Sequence, residues 1–209
     1  VESSIPSSVD QDEIDRFNSN IGSLESGIRH ALNHRKDFAA AEDRKDAAEY
    51  AVQSAGSGYM PRLTATGGWS WNHNRFANFE QFGRSYIGLN LSYPLFDRFR
   101  TNNEIQQANL SLRQREIEQL QMEQSIRSEV KTSYLNLRAA EKQIEITKKT
   151  LKSAEKSYAS TKERYQSGAA NITEFLYSGN QLIKSQINRV TTVYNYIKAQ
   201  KQVLYAIGK

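Results

Sequence analysis

Two histidines four residues apart are the side chains whose spacing first suggests a chemical role. His30 and His34 would lie one turn apart on the same face of a helix, where two imidazoles can bind one zinc ion. The phrase HALNH lacks the glutamate that follows the first histidine in zinc proteases, and no third ligand is apparent. We therefore predict two surface histidines, no metal site and no catalytic centre in this stretch.

Composition removes several other kinds of chemistry. The chain has no cysteine, which excludes disulfides, thiolate metal sites and cysteine nucleophiles. Its net charge of +5 comes from 28 basic and 23 acidic residues that are interspersed along the chain. Because no basic run is interleaved with aromatic residues, these charges predict solvated helix faces and no nucleic-acid partner. No motif indicates a cofactor or an enzyme, so we expect neither.

Helices make up most of the predicted chain. Only 38% of the 209 residues are hydrophobic and the mean hydropathy is −0.71, which favours a thin, elongated structure with little interior. Residues 1–22 are polar and without a period, so they predict a linker or an extended arm. A helix is expected over 23–58, because Gly56, Gly58 and Pro61 prevent its continuation, and a long helical hairpin is expected over 97–209.

A seven-residue repeat predicts that the two helices of 97–209 pack against each other. Residues 97–167 contain neither proline nor glycine, so one unbroken helix is expected there, antiparallel to a second helix over 172–206. In the first helix a row of large residues comprises Val130, Leu137, Ile144, Leu151, Tyr158 and Tyr165. A row of smaller residues comprises Ser133, Ala140, Thr147, Ala154 and Thr161. In the second helix the predicted buried row comprises Leu176, Ile183, Val190, Ile197 and Leu204.

Residues 61–96 change to the two-residue period of strands. Ile87, Leu89 and Leu91 alternate with small or polar residues, and strands are expected over 62–72 and 86–96 with a loop between them. A two-stranded hairpin is not stable alone, so these strands must pair with other copies, and their apolar face requires an apolar medium. Each strand has about the 9–11 residues that a membrane strand needs. Aromatic residues suited to the membrane interfaces are Trp69, Trp71, Tyr86, Tyr93 and Phe96.

Four phrases, in order, resemble the TolC-type outer membrane efflux proteins. Residues 23–63 resemble the helix that leads into the first strand, with the family pattern AL…R.D…AAE…A…A..GYLP.L. Residues 86–108, which begin YIGLNLSYPLFDRFR, resemble the second strand and its exit L.WPLFDGG. Residues 163–176, ERYQSGAANITEFL, resemble the turn between the long helices, and the ending LYAIGK resembles the end of the second repeat.

The resemblance implies a fold and an assembly. The fold would be mostly α, with long antiparallel coiled-coil helices forming one repeat of an α-barrel and a two-stranded hairpin entering an oligomeric transmembrane β-barrel. Family members are trimers of two-repeat protomers that span the outer membrane and the periplasm of Gram-negative bacteria. They receive drugs or other cargo from an inner-membrane pump through a periplasmic adaptor. This chain would supply one repeat, the C-terminal one, with 1–22 as its linker or equatorial segment.

The resemblance also points to residues at the periplasmic tip. Acidic side chains narrow the pore there in the family, and by position the first of them is Glu174, whereas Tyr177 replaces the second. Glu174 would favour cations and Tyr177 would narrow the pore by bulk, although Glu174 also suits a helix start through the helix dipole. The residues expected to contact an adaptor are Arg164, Tyr165, Ser167, Gly168 and Ala169. Gly168 is also expected to end its helix in the left-handed conformation, and either Asn171 or Thr173 is expected to cap the next helix.

Two other functions remain open from the residues alone. A periplasmic adaptor also has a helical hairpin, but adaptors contain many more strands than the two predicted here. A coiled-coil scaffold would leave the amphipathic, aromatic-flanked strands unexplained. The chain contains no apolar run of about 18 residues and no visible signal peptide. Because it begins at Val1, we expect it to be a processed or excised piece.

Overall fold

A computed structural model describes residues 9–71 and 83–209, and for Trp71 it describes only the backbone. Five helices, one short 3₁₀ turn and two strands follow one another in these residues. In chain order they are α1 (Gln11–Ile21), α2 (Leu24–His34), α3 (Lys36–Gly56), the 3₁₀ turn (Ser57–Tyr59), β1 (Arg62–Trp71), β2 (Gly83–Ser92), α4 (Arg100–Gln166) and α5 (Ile172–Ala206). None of the helices described is long and apolar enough to cross a membrane.

The chain divides into two compact units. The first contains the residues up to Ala39 together with Gln121–Lys209, and the second contains Ala40–Leu120. The core of the first unit lies where α4 meets α5, α1 and α2. The fully buried side chains there include Ile126, Val130, Leu137, Val193, Tyr196 and Val203. The predicted α4 row is therefore buried at Val130, Leu137 and Ile144, and the small-residue row is buried at Ser133, Thr147 and Thr161.

The row predicted for α5 is wrong by one residue. Leu176, Ile183 and Val190 are 58%, 54% and 52% exposed, and only Ile197 and Leu204 of that row pack against the core. The inward row begins one position earlier and comprises Phe175, Leu182, Arg189, Tyr196 and Val203. Two largely apolar rows lie side by side on this helix, and the inward one includes Arg189, which donates to the Ile144 carbonyl at 2.9 Å. The inward one is accompanied by the small residues Ser178, Thr192 and Ala199, which let α4 approach closely.

Residues 11–21 form a helix rather than the predicted linker. Ile14 and Ile21 are buried seven residues apart, and Phe17 packs between them against the core, so the segment has one apolar stripe on an otherwise polar surface. Gly22 ends α1 with φ of 68°. The stripe is only three residues long, and this explains why the segment looked patternless in the sequence.

The helix predicted over 23–58 is interrupted at Arg35. Ser23 caps α2 as its hydroxyl accepts a hydrogen bond from the Ser26 backbone N–H at 3.2 Å. Arg35 then adopts extended backbone angles, φ −71° and ψ 128°, and α3 starts at the next residue. The Asp37 carboxylate accepts from the Phe38 N–H at 2.9 Å, as an acid at a helix start does. The break is thus stabilised by local hydrogen bonds, and no glycine or proline marks it in the sequence.

The two strands of the second unit form an antiparallel hairpin. Ala65 faces Leu89 and Leu63 faces Leu91, so the apolar side chains of both strands share one face, while Thr64 pairs with Asn90. β2 runs from Gly83 to Ser92, ending earlier than the predicted 96 because Pro94 has no N–H to offer a ladder. The predicted connecting loop lies outside the described residues.

The connection from β2 to α4 uses two left-handed residues. Arg98 and Phe99 have φ of 57° and 62°, at the positions where the family pattern has Gly-Gly. The helix consequently starts at Arg100 instead of Asp97, although the Asp97 carboxylate does accept from the Thr101 N–H at 2.9 Å. From there α4 continues for 67 residues without a break, as predicted for 105–160.

Candidate functional site

The turn between α4 and α5 is closed by backbone hydrogen bonds. The N–H groups of Ala169 and Ala170 donate to the Arg164 carbonyl at 2.7 and 3.1 Å. Gly168 has φ of 76°, which confirms the predicted left-handed helix end. Of the two predicted caps, Asn171 is the one used, because its side-chain oxygen accepts from the Glu174 N–H at 2.8 Å. This turn fixes the relative positions of the side chains at the tip.

Arg164 and Glu174 meet across the turn. The Arg164 Nη1 atom donates to Glu174 Oε1 at 2.5 Å, and its Nη2 atom donates to the Ala169 carbonyl at 3.4 Å. The sequence placed these residues in two separate groups, one for adaptor contact and one for the pore. Their side chains are 51% and 41% exposed, so the pair contributes at most about 1 kcal/mol to stability. Its main effect is to neutralise the Glu174 carboxylate locally.

An aromatic stack supports the turn on the side where α4 and α5 pack against each other. Phe175 stacks on Tyr165 with ring centroids 5.1 Å apart and on Tyr158 at 5.6 Å. Each such contact contributes roughly 0.5–1.5 kcal/mol beyond burial. Tyr165 is thus a packing residue as much as a surface residue. Phe175 was missed in the sequence, yet its position in a seven-residue row with Leu182 and Tyr196 is a signal that would have identified it.

The remaining tip residues form an open surface. Ser167, Gly168 and Ala169 are all exposed, and a side chain added at Gly168 would meet no atom within 4 Å. The Ser167 hydroxyl donates to the Arg164 carbonyl at 3.0 Å. Tyr177 is 65% exposed and lies three residues after Glu174 on the first turns of α5. Glu174 and Tyr177 therefore lie roughly on one face of α5, and the Glu174 carboxylate reaches back to Arg164 at the end of α4.

The aromatic residues of the hairpin lie near both ends of an apolar stretch. Trp69 and Tyr86 are 55% and 54% exposed, and the Tyr86 ring covers Gly68 so closely that a Cβ there would be 2.8 Å from it. Tyr93 and Phe96 follow β2 and are 57% and 77% exposed. Trp69 lies on the apolar face of the hairpin with Leu63 and Ala65, whereas Tyr86 lies on the opposite face with Asn90, so only Trp69 of this pair is placed as predicted for a lipid-facing aromatic residue. The Trp71 side chain lies outside the description.

The two histidines do not both lie on the surface as predicted. His30 is half-buried, and its Nδ1 atom is 2.9 Å from the carbonyl oxygen of Ile207 at the end of α5. His34 is exposed, and its Nδ1 atom is 3.0 Å from the His30 carbonyl. The two rings are stacked with centroids 4.1 Å apart. Within residues 9–71 and 83–209, no group of three or more His, Cys, Asp or Glu side chains is arranged to hold a metal.

Comparison with known proteins gives one consistent result. Residues 27–209 match the family model described as outer membrane efflux protein. The chain belongs to the outer membrane efflux protein family. It is 23% identical over 190 residues to the outer membrane protein TolC of Salmonella enteritidis and 25% identical over 191 residues to TolC of Vibrio cholerae. These alignments cover 87% and 89% of this chain but only 39% and 44% of the relatives.

Solved structures agree on the fold. The open state of the Neisseria gonorrhoeae MtrE outer membrane channel matches with a TM-score of 0.75 at 14% identity, covering 90% of this chain and 42% of that one. The Campylobacter jejuni CmeC outer membrane channel matches with a TM-score of 0.70 at 18% identity, covering 85% and 38%. The chain thus spans about two fifths of the length of the relatives it matches. This share corresponds to one helix–hairpin–helix–helix repeat of the efflux protein fold.

Proposed function

We propose that this efflux protein is the outer membrane channel component of a tripartite efflux or type I secretion system. It acts as a passive duct that carries drugs or other cargo across the periplasm and the outer membrane. The observation that supports this most directly is the hairpin, whose apolar residues are exposed on one face. Ile87, Leu89 and Leu91 are 89%, 73% and 69% exposed, a state that lipid would relieve and water would not.

The channel would form by association of repeats. Among the described residues β1 and β2 form a two-stranded sheet with both edges unpaired, so the hairpin would join strands of other repeats. Three protomers with two repeats each would close the barrel. The exposed row of α5, with Leu176, Ile183 and Val190, would pack against neighbouring helices in the tunnel wall. The protein would thus reside in the outer membrane and extend into the periplasm.

The tip would serve as gate and docking surface. Glu174 and Tyr177 share a face of α5 and neither belongs to its inward row. Copies of these two side chains from three or more protomers could line the narrowest part of the pore. The open surface of Ser167, Gly168 and Ala169 would let the helical hairpin of a periplasmic adaptor approach, with Arg164 and Tyr165 beside it. The adaptor would connect the duct to an inner-membrane pump, and no enzymatic step is required.

A pair of charge substitutions in the full-length protein tests the membrane role of the hairpin. Leu89→Arg places a charge on the apolar face, where it should cost about 2–4 kcal/mol at mid-membrane and abolish insertion and efflux. Asn90→Arg places the same charge on the opposite face of the same strand, where the barrel interior would tolerate it. Outer membrane fractionation and drug susceptibility of the host report the outcome. Equal insertion of both variants would refute the membrane assignment and favour a periplasmic adaptor or scaffold.

A further inference from the structure

A cleft opens at the base of the hairpin, on the side of its polar face. Arg62 at the start of β1 and Ser92 at the end of β2 face each other, and both line this cleft. They belong to the same face as the pair Thr64 and Asn90, opposite to the apolar face. The cleft has a volume of about 400 Å³, and small-molecule sites commonly have volumes of roughly 300–1,000 Å³. It is therefore large enough to hold a small organic molecule.

The cleft carries positive charge that other side chains do not balance. Arg62 and Arg100 both line it, and none of its described lining residues is acidic. Arg62 forms no ion pair within residues 9–71 and 83–209. Arg100 lies 3.7 Å from Glu104 on the next turn of α4, but both side chains are more than half exposed, so this pair is weak. Two guanidinium groups beside one cleft repel each other, and an anion between them would relieve this repulsion.

The rest of the lining decides which kind of anion fits. The Ser92 hydroxyl adds a hydrogen-bond donor beside Arg62. Met60, Pro61 and Pro94 add apolar surface, and Met60 is 67% exposed. A guanidinium group can donate to two oxygens of one acidic group, as it does to carboxylates and phosphates. The combination suits an amphipathic organic anion, with its acidic group at the arginines and its apolar part against Met60 and the prolines.

We propose that this cleft binds the acidic group of an organic anion that passes through the channel. The inference rests on the proposed function, in which the polar face of the hairpin forms the interior of the barrel. Neither strand contains an aspartate or a glutamate, and the same face carries a second arginine, Arg84, opposite Ser70. This face therefore attracts anions at both of its ends. At the tip, the ion pair with Arg164 leaves the Glu174 carboxylate little free charge with which to repel such cargo.

The test measures binding to the full-length protein in a nonionic detergent. Naphthalene-2-sulfonate is the probe, because it combines an acidic group with an apolar ring system, and naphthalene-2-sulfonamide is its neutral analogue. Isothermal titration, corrected for uptake by detergent alone, should show saturable binding of one sulfonate per chain and no such binding of the sulfonamide. Arg62→Gln should weaken binding by about tenfold or more, the loss expected when one hydrogen bond between charged groups is removed. Inorganic sulfate should bind more weakly than the probe, because it has no apolar part to bury.

Arg84→Gln is the matched control. It removes the same charge from the same face at the other end of the hairpin, opposite Ser70, which is about 27 Å along β1 from Arg62. This variant should bind the probe like the wild type. The proposal is overturned if the wild type does not bind the sulfonate, if the sulfonamide or sulfate binds equally well, if Arg62→Gln binds as tightly as the wild type, or if Arg84→Gln weakens binding as much as Arg62→Gln. The channel function itself fails by a different result, equal membrane insertion of Leu89→Arg and Asn90→Arg.

Discussion

Arg35 connects three parts of the first unit through one guanidinium group. It donates to the two oxygens of Asp37 at 3.0 and 2.7 Å, to Glu129 at 2.7 Å and to the Ala206 carbonyl at 3.1 Å. The hydrogen bond to Asp37 raises the pKa of Arg35 further above its usual value. The same bond, helped by the Phe38 N–H, lowers the pKa of the Asp37 carboxyl below 3.8. The last turn of α5 is thereby held at the α2–α3 break.

Arg35→Ala should destabilise the first unit clearly. It removes the guanidinium that donates to the Ala206 carbonyl and to two carboxylates, and hydrogen bonds to charged groups contribute about 1.5–3 kcal/mol each when well buried. Asp37 and Glu129 are 42% and 39% exposed, so we expect a total loss of about 2 kcal/mol, read as a lower melting temperature by circular dichroism. Arg113→Ala is the control, because its exposed partner is one turn away in the same helix and its loss should be within about 0.5 kcal/mol.

The Arg35 effect should also depend on pH in a defined direction. The pKa of Asp37 is lowered by folding, so the stabilisation is fully present above its unfolded value of 3.8 and is lost as the pH falls through the folded value. The difference in melting temperature between wild type and Arg35→Ala should accordingly be largest at neutral pH and narrow in acid. A difference that grows in acid would contradict the assigned role of Asp37.

Sequence reasoning at the residue scale succeeded where the cause is local. Gly168 and Asn171 were predicted because a left-handed helix end and an N-cap depend on one or two neighbouring residues. Arg35–Glu129 joins residues 94 positions apart, and Arg164–Glu174 crosses a turn, so neither follows from helical spacing. The break at Arg35 escaped prediction because no glycine or proline marks it, and because Arg35 bonds the distant Glu129 and Ala206 as well as the neighbouring Asp37.

At the element scale, the 3₁₀ turn of the second unit lies very close to the start of α4, near the base of the hairpin. Gly58 follows α3, and a Cβ built there would lie 2.8 and 2.9 Å from the side chain of Thr101, which is 1% exposed at the start of α4. Gly58→Ala should therefore force the base of the hairpin apart and cost about 1–3 kcal/mol. Limited proteolysis of the full-length protein should show faster cleavage near residues 57–62.

Gly56→Ala gives the matched comparison two residues away. A Cβ at Gly56 meets nothing within 4 Å, and alanine is the better helix former, so stability should be unchanged or slightly higher. If both alanine variants behaved alike, Thr101 would not be the obstacle that limits this position.

The elements themselves were largely predictable, but their faces were not. The absence of glycine and proline, together with the period of seven, was sufficient to predict α4. The alternation of apolar and polar residues was sufficient to predict the two strands of the hairpin. On α5 the pattern contains two apolar rows one residue apart, and a hydrophobic period alone does not say which one faces the partner helix. Tyr196, fully buried with its hydroxyl accepting from Gln200 at 2.9 Å, is the residue that decides this register.

At the scale of the whole molecule, two exposed apolar surfaces support the proposed assembly. Leu89 and Leu91 on the hairpin and Ile183 and Val190 on α5 are each more than half exposed. The first pair suits lipid and the second suits another helix, because only the α5 row has the seven-residue spacing of helix packing. Both pairs stay exposed in the part of the chain that the structure describes.

The last prediction concerns charge at the mouth of the assembled channel. If Glu174 lines the pore, Arg164 reduces its effect because the two side chains form an ion pair. Glu174→Gln should lower the cation selectivity of the full-length channel in planar bilayers, whereas Arg164→Gln should raise it by leaving the carboxylate uncompensated. Either change should cost at most about 1 kcal/mol of stability, since the pair is exposed. Glu163→Gln, which removes an exposed carboxylate from α4 beside the turn, is the control and should leave selectivity near the wild type. Shifts of the same sign in the first two variants would show that Glu174 only supports the start of α5 and that the gate lies elsewhere.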